Sequence, residues 1–248
     1  MKRRIASALT LFLLCAVAVY AAISYNTGSN NGPLNASPSS PITMTFTCAS
    51  AELCIASFRM AQSSTVTLTG CTSSGNTWHV ISTVLNFGVN STVQACYCYN
   101  CSSETAATLS MAYTGTAAFS GAMYDRFPGA ATASDPYDTS GTQTSCGASC
   151  TTGTITPAGT GEVAYGLASC ESATGSWSPG SGFTTGQATP GGNGSASYSM
   201  YELNWSAGTA NATNGAGASC GLIVYLFKAP SGGGATVPPM QMTEGVGD

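Results

Sequence analysis

The stretch CGLIVYLFK, residues 220–228, decides the fold class of this chain. Every residue from Leu222 to Phe227 is apolar, so a strand here has no polar face to present to water. Such a run is typical of a central strand that is covered on both sides. The run YSMYELNW, residues 198–205, has two different faces instead, which is typical of a strand with one covered face.

Short β-prone runs recur along the folded part between clusters of Gly, Ser, Thr and Asn. No segment there has a clear apolar period of a helix, and the helix formers Glu, Lys and Gln are scarce. These features predict an all-β protein, an antiparallel β-sandwich or barrel. Strands are predicted near 43–48, 53–60, 64–69, 77–86, 92–99, 107–113, 117–126, 161–169, 196–205 and 220–228, with long loops over 128–160 and 170–195.

Residues 1–21 have the three-part form of a signal peptide. The basic start KRR (2–4) precedes an apolar run, and VYA (19–21) places small residues at the usual cleavage spacing. We predict cleavage after Ala21, with Ala18 as the alternative, and a protein that is secreted or held at the cell surface.

Two other readings of the leader lead to the membrane. An uncleaved leader is roughly long enough to span a bilayer and would anchor the chain there. Lipidation at Cys15 is the weaker reading, because the leucine before it is too bulky for that signal. Membrane contact is therefore expected only if the leader stays attached.

The rest of the chain divides by composition into an arm, a folded domain and a tail. Residues 22–41 are rich in Ser, Asn and Pro and predict a flexible arm, and residues 230–248 predict a disordered Gly/Pro-rich tail. The β-sandwich domain is predicted over 42–229. That length suits one large sandwich, or at most two small domains that share an interface.

Charge is scarce outside the leader. The chain has six Lys and Arg, and only Arg59, Arg126 and Lys228 lie beyond it, against ten Asp and Glu. So few cations cannot match a phosphate backbone, so nucleic acid is excluded as a partner.

Removal of Cys15 with the leader leaves ten of the eleven cysteines. An even set of thiols in an exported protein predicts a disulfide framework. A metal site that uses CYCYNC (96–101) is the less favoured alternative, because structural zinc sites usually show paired knuckles, often with His. The hypothetical pairings put Cys71 and Cys101 as partners of Cys96 and Cys98, and join Cys146 to Cys150, Cys170 to Cys220 and Cys48 to Cys54.

Several short motifs occur in one order: GNTW (75–78), FPG (127–129), DPYD (135–138), GEV (161–163) and FKAP (227–230). Over about 64–230 the chain thereby resembles a β-sandwich module of secreted and surface proteins of environmental bacteria. The resemblance implies a jelly-roll-like sandwich and no defined catalytic residues. Two departures are the dense cysteines and the lack of an acidic residue just before Gly75.

No catalytic constellation stands out. His79 is the only histidine, no G-x-S-x-G elbow occurs, and no spacing selects a pair of carboxylates. We predict no enzyme activity, no catalytic residues and no cofactor.

Two weak sites remain. Asp135 and Asp138 are calcium candidates, although a turn in which Asp135 precedes a proline and Asp138 caps the next bend is the favoured explanation. Trp177, in a Ser/Gly-rich loop, and Tyr137 are candidate ligand-binding aromatics for a glycan. The alternative for Trp177 is a loop anchored by its one large apolar side chain.

Two functions follow. The first is an extracellular structural or adhesive subunit, such as part of a fibre or surface layer, that self-associates or binds another extracellular protein. The alternative is a monomeric carbohydrate-binding module that uses loop aromatics. Sparse charge favours the first, because charged side chains normally protect sheet edges from pairing with other chains.

Overall fold

A computed structural model describes residues 22–30, 35–36, 39–61, 66–89, 91–130, 132–172, 176–192, 195–215 and 218–230. The elements in these ranges are all β-strands, and the prediction of an all-β antiparallel fold is confirmed. The same ranges contain no helix that is long and apolar enough to cross a bilayer. The predicted signal peptide, and the predicted tail beyond residue 230, lie outside them.

The first half of the chain forms a sandwich of two sheets, which we call the first sandwich. Its inner sheet has the order β1-β10-β4-β8-β6, with β2 beside β10 and β7 beside β8, and its outer sheet has the order β3-β9-β5. The strands are β1 Asn26–Asn30, β2 Asn35–Ala36, β3 Ile42–Cys48, β4 Glu52–Ala61, β5 Thr67–Thr72, β6 His79–Val80, β7 Leu85–Phe87, β8 Ser91–Cys98, β9 Glu104–Thr114 and β10 Phe119–Pro128.

The second half forms the second sandwich. Its inner sheet has the order β11-β18-β13-β16-β15 and its outer sheet the order β12-β17-β14. The strands are β11 Tyr137–Cys146, β12 Ser149–Thr151, β13 Glu162–Ser172, β14 Trp177–Pro179, β15 Thr184–Gly192, β16 Ser195–Trp205, β17 Asn211–Asn214 and β18 Ala218–Phe227.

The two sandwiches have the same topology. When the short β2 and β7 are set aside, the strands of each sandwich can be numbered one to eight, and both inner sheets then have the order 1-8-3-6-5 and both outer sheets 2-7-4. Strands that alternate between two sheets in this way form a jelly roll. The folded part is therefore two jelly rolls with a shared interface rather than one large sandwich.

The inner sheets pack face to face, so the molecule has four layers and three apolar cores. One core lies inside each sandwich, and the third lies between the inner sheets. Successive residues of a strand point to opposite faces, so β18 sends Leu222 into the second sandwich and Ile223 into the shared core. This double burial confirms the prediction of a covered central strand at 220–228.

Individual positions repeat as well. Glu52 begins β4 and accepts a hydrogen bond from the backbone N–H of Ala49 (2.9 Å), as Glu162 at the start of β13 does from Gly159 (3.0 Å). The next residue on each strand faces a phenylalanine, Leu53 opposite Phe127 and Val163 opposite Phe227. The two halves thus share local chemistry as well as strand order.

Three expectations from the sequence need correction. The stretches 128–160 and 170–195 are not simply loops, because they contain β11, β12, β14 and β15. These strands lie at sheet edges, where half-exposed Thr, Ser and Gly replace the apolar alternation that marks a strand. The flexible arm at 22–41 contains β1 and β2, both paired with β10. The predicted strand at 77–86 is divided into β6 and β7.

Eight of the ten cysteines in the described ranges form disulfides, and the predicted partners are confirmed: Cys71–Cys96, Cys98–Cys101, Cys146–Cys150 and Cys170–Cys220. The staple between Cys48 and Cys54 is wrong, since both thiols are free and buried. The hairpin that it assumed does not exist, because β3 belongs to the outer sheet and β4 to the inner sheet.

Candidate functional site

Trp177 is not an exposed aromatic platform. It lies in β14, is 8% exposed and packs into the core of the second sandwich with Ala210 and Ala212. Its loop is therefore anchored by an apolar side chain, as the alternative explanation expects. A strand as short as β14 has no periodic pattern to reveal this from sequence.

Tyr137 does lie among other aromatic rings, in what we call the tyrosine cluster: His79, Tyr97, Tyr99 and Tyr137. The His79 ring stacks on Tyr99 with centroids 5.1 Å apart and on Tyr97 at 5.4 Å, and the Tyr137 ring lies 6.2 Å from Tyr97. His79, Tyr99 and Tyr137 are half-buried. The cluster spans both sandwiches, since Tyr137 begins β11 and the other three residues lie on or directly after β6 and β8.

Asp135 and Asp138 have separate partners. Asp135 accepts hydrogen bonds from the Tyr97 hydroxyl (2.5 Å) and the Tyr137 backbone N–H (3.0 Å), the second of which is the expected turn. Asp138 accepts one from the Ala158 N–H (2.7 Å) and lies 3.7 Å from the Lys228 ammonium. The two carboxylates are thus committed to different contacts, which gives the calcium hypothesis no support.

The segment from Asn26 to Ala36, which we call the arm, contains β1 and β2, and both strands pair antiparallel with β10. Its register pairs Asn26 with Arg126 at one end and Ala36 with Phe119 at the other. The two strands therefore cover the outer edge of β10 near both of its ends. Ser29 also donates a hydrogen bond to the carbonyl oxygen of Thr45 on β3 (2.9 Å).

Gly28 lets the arm approach β10 closely. A Cβ at this position would lie 1.5 Å from the carbonyl oxygen of Tyr124, a backbone atom that cannot rotate away. Beside this contact, β1, β3 and β9 line an open cleft of about 660 Å³ whose walls are rich in threonine hydroxyls.

The residue just before the arm, Tyr25, anchors it to a buried carboxylate. Asp125 on β10 is fully buried and accepts hydrogen bonds from Tyr25 (2.8 Å), Tyr165 (2.7 Å) and Ser199 (2.8 Å). Burial raises the pKa of Asp125, and the three hydroxyl donors oppose that rise. The Tyr25 ring stacks on Tyr201 at 4.1 Å, so the anchor joins the arm to both sandwiches.

The arm has a counterpart in the second sandwich, where β11 covers the edge of β18 from Tyr137 opposite Phe227 to Cys146 opposite Cys220. The two differ in how they are held. The Cys146–Cys150 disulfide ties β11 to β12, and only Gly147 and Ala148 separate these strands. The arm contains no cysteine, so hydrogen bonds and packing alone hold it on β10.

Most charged side chains of the described residues are buried or paired. Arg59, 2% exposed, donates to the carbonyl oxygen of Cys170 (2.7 Å) and so joins the sandwiches; its burial lowers its pKa to about 10. Arg126 forms a bidentate pair with Glu52 at 2.8 and 2.9 Å. Asp125, Glu104 and Glu162 are buried as well. The outside is consequently left largely to Ser, Thr, Asn and Gly.

Glu104 supplies the carboxylate that was expected just before Gly75. It reaches across from β9 and accepts hydrogen bonds from the hydroxyls of Ser73 and Ser74 (both 2.8 Å) and from the Gly75 N–H (2.9 Å). The side-chain amide of Asn76 also donates to it. These hydrogen bonds hold the turn before β6, which carries His79 of the tyrosine cluster.

Tyr25, Gly28 and Asp125 were not predicted from the sequence as functional residues. A signal for Asp125 existed, because it lies in the apolar run GAMYDRF (121–127), where a lone carboxylate indicates a buried polar contact. Gly28 and Tyr25 carried no such signal, since their partners are distant along the chain.

Comparison with protein-family models, curated proteins and solved structures gives no match for this chain. The resemblance to a bacterial surface module therefore stays a prediction.

Proposed function

We propose that the protein is an extracellular structural subunit whose copies join by exchanging the arm. The observation that carries this proposal is the difference between two equivalent strands. The arm and β11 cover the same edge of their sandwiches, yet a disulfide ties β11 down and none ties the arm. If the arm can dissociate from the edge of β10, the arm of a neighbouring copy can pair with that edge in the same way.

Exchange keeps every contact of the arm and changes only the chain that supplies it. Five residues link Ala36 to Ile42 at the start of β3, and they span at most roughly 18 Å. A neighbouring β10 must therefore lie close to the donor subunit. One arm and one edge per subunit then generate a head-to-tail chain of copies, or a closed ring.

The composition of the surface supports the same function. Charge repulsion normally discourages sheet edges from pairing with other chains. Among the described residues, five of the eleven charged side chains are instead buried: Glu52, Arg59, Glu104, Asp125 and Glu162. Four disulfides are compatible with an oxidising, extracellular environment, where such a subunit has to persist.

Mixing two single-cysteine variants tests exchange directly. Ser29 and Thr45 line the same cleft, and the Ser29 hydroxyl donates to the carbonyl oxygen of Thr45 at 2.9 Å. Ser29→Cys in one chain and Thr45→Cys in another should therefore form a disulfide when an arm crosses between copies. We expect a covalent dimer on a non-reducing gel from chains spanning residues 22–248. The double variant serves as the control, because its two cysteines can close within one chain. Closure in that variant, with no cross-linked dimer from the mixture, would overturn the proposal.

A matched pair of glycine variants links exchange to assembly. Gly28→Ala places a methyl group against the Tyr124 carbonyl, whereas a Cβ on Gly70 meets no atom within 4 Å. Light scattering and electron microscopy should find polymers for the wild type and Gly70→Ala, and none for Gly28→Ala. Wild-type protein that stays monomeric at all concentrations would contradict the proposed function.

The tyrosine cluster favours a second candidate function, glycan binding. Half-buried rings beside the exposed carboxylate of Asp135 combine an apolar face with a polar group, as sugar recognition requires. Tyr99→Ala should abolish binding to a glycan array, while the distant Tyr113→Phe should leave it unchanged. An array on which the wild type binds no glycan would remove this candidate.

A further inference from the structure

Four cysteines meet at one end of the first sandwich. The sulfur atoms of Cys48, Cys54 and Cys101 all lie within 4.8 Å of one another. Cys98 forms the disulfide with Cys101, and it lies directly opposite Cys54 in the register of β4 and β8. We call these four residues the thiol cluster: Cys48, Cys54, Cys98 and Cys101.

Three parts of the fold bring the cluster together. Cys48 ends β3 of the outer sheet, whereas Cys54 and Cys98 lie in the inner sheet. Cys101 follows β8, and its N–H and carbonyl oxygen form hydrogen bonds with Glu52 (3.3 Å) and Ala51 (2.9 Å). The turn that carries Cys101 is thereby held against the connection between β3 and β4.

The thiol cluster is buried from solvent, and a charged pair lies beside it. Its four side chains are at most 2% exposed. The Cys48 sulfur lies 3.9 Å from a Glu52 carboxylate oxygen, and Arg126 neutralises that carboxylate through two hydrogen bonds. A hydrogen bond with Cys54 lowers the pKa of Cys48, while burial raises the pKa of Cys54. Cys48 is therefore the better nucleophile of the two free thiols.

We propose that the thiol cluster is an internal thiol–disulfide exchange centre, in which Cys48 attacks the Cys98–Cys101 disulfide. Cys48 loses its proton and its sulfur bonds to the sulfur of Cys101. The bond between Cys101 and Cys98 breaks, and Cys98 leaves as a thiolate that takes up the proton. One disulfide and two thiols exist before and after the step, so neither an oxidant nor a reductant is consumed.

The two pairings hold the sandwich differently. Cys98–Cys101 closes a short local turn, with a sequence separation of 3. Cys48–Cys101 links the end of β3, in the outer sheet, to the turn that follows β8 of the inner sheet. Exchange thus moves a covalent tie from within one turn to a position between the two sheets. Because the cluster is sealed, this exchange does not involve thiols from solution.

Disulfide mapping of the wild-type protein tests the proposal. The chain from residue 22 to 248 is incubated at mildly alkaline pH without reductant, quenched in acid, denatured and alkylated with N-ethylmaleimide. Cleavage after Glu52 and after Tyr99 separates Cys48 from Cys54 and Cys98 from Cys101. Mass spectrometry should find two patterns of equal total mass, Cys98–Cys101 and Cys48–Cys101, and the second should leave Cys54 and Cys98 alkylated.

Two variants identify the attacking thiol. In Cys48→Ser every cross-paired form should fall at least tenfold, whereas Cys54→Ser should retain the Cys48–Cys101 form. The other three disulfides, mapped in the same digest, report whether each variant has folded.

Three results would overturn the proposal. One is a wild type that contains only Cys98–Cys101 after incubation, and another is a Cys48→Ser variant that keeps cross-paired forms. The third is protein in which all four cysteines are unreactive because they form two stable disulfides or hold a stoichiometric metal ion.

Discussion

In the second sandwich, the first strand turns directly into the second and a disulfide joins them. In the first sandwich, the equivalent strand is the arm, which is joined to β3 by a longer link without cysteines. Strand order is the same in both sandwiches, so topology alone does not decide which strand can leave its sheet. We expect covalent fastening to decide it, because a disulfide restricts the separated state of the strand that it ties.

The largest expected effect tests whether the two sandwiches are independent. Removing the Cys170–Cys220 disulfide, by substituting both cysteines with alanine, opens a loop with a sequence separation of 50. The free energy of unfolding should fall by about 4 kcal/mol. Because the inner sheets share a core, calorimetry should record one transition at a lower temperature.

The Cys146–Cys150 disulfide provides the matched control, with a sequence separation of 4. Its removal should lower the free energy of unfolding by only about 2 kcal/mol. Two separate transitions in either variant would show that the shared core does not couple the sandwiches.

Asp125→Ala tests the carboxylate that joins the arm to both sandwiches. The substitution leaves the hydroxyls of Tyr25, Tyr165 and Ser199 without their acceptor, which should cost about 3 kcal/mol of unfolding free energy. Urea denaturation measures the loss, and a loss below about 1 kcal/mol would contradict this central role.

The pH dependence of that loss has a defined sign. Because the native pKa of Asp125 is raised, the folded state keeps a proton that the unfolded state releases near pH 4. The stability that Asp125 contributes is complete below about pH 4 and declines as pH rises through the native pKa. The difference between wild type and Asp125→Ala should therefore shrink as pH rises through that window.

Glu52 and Glu162 occupy equivalent positions at the starts of β4 and β13, but their charged surroundings differ. Glu52 is paired with the cation of Arg126, whereas Glu162 lies near the carboxylate of Asp138. Glu52→Gln breaks a bidentate pair with the partly buried Arg126 and should cost about 2 kcal/mol. Glu162→Gln should cost nothing or stabilise the fold by up to about 1 kcal/mol at pH 7. Burial, and next the charge of Asp138, raise the pKa of Glu162.

The Glu162 effect also has a defined sign. Its carboxyl contributes stability at low pH that is lost as pH rises through its raised native pKa. Glu162→Gln should therefore gain stability relative to the wild type as pH increases. Equal losses in the two glutamine variants, measured by urea denaturation, would show that the two positions are not electrostatically different.

The smallest expected effect concerns the hold on the arm. Tyr25→Phe removes one hydrogen bond to Asp125, worth about 1 kcal/mol, so amides of β1 should exchange with deuterium about fivefold faster. Amides of β11 should be unchanged. Tyr198→Phe, which removes a hydroxyl bonded to Thr185 in the second sandwich, should leave β1 unaffected. Equal acceleration of β1 and β11 would indicate general loosening.

Strands with apolar alternation were predictable, and strands without it were not. In ITMTFTC (42–48) buried and exposed residues alternate as the pattern predicts. The edge strand YDTSGTQTSC (137–146) has no such alternation, because half-exposed edges do not require large apolar side chains. Both explanations for Trp177 stayed open at the level of sequence for a related reason, since a Ser/Gly-rich neighbourhood does not show which distant residues pack against the ring.

Disulfide partners were likewise predictable only where local spacing or strand assignment was sufficient. Cys146 and Cys150 are local, and Cys170 and Cys220 lie on neighbouring strands, so strand assignment was sufficient to pair them. Cys48 and Cys54 were paired wrongly, because the two strands belong to different sheets.

The sequence by itself determined the local features: an all-β chain, the doubly covered strand at 220–228 and the disulfide between Cys146 and Cys150. Each depends on period, composition or short spacing, which are properties of neighbouring residues. Only the tertiary structure decided that two jelly rolls stack, that Asp125 meets Tyr25 and Tyr165, and that four cysteines converge. These features depend on contacts between residues far apart in the chain, where burial and strand register determine which side chains meet.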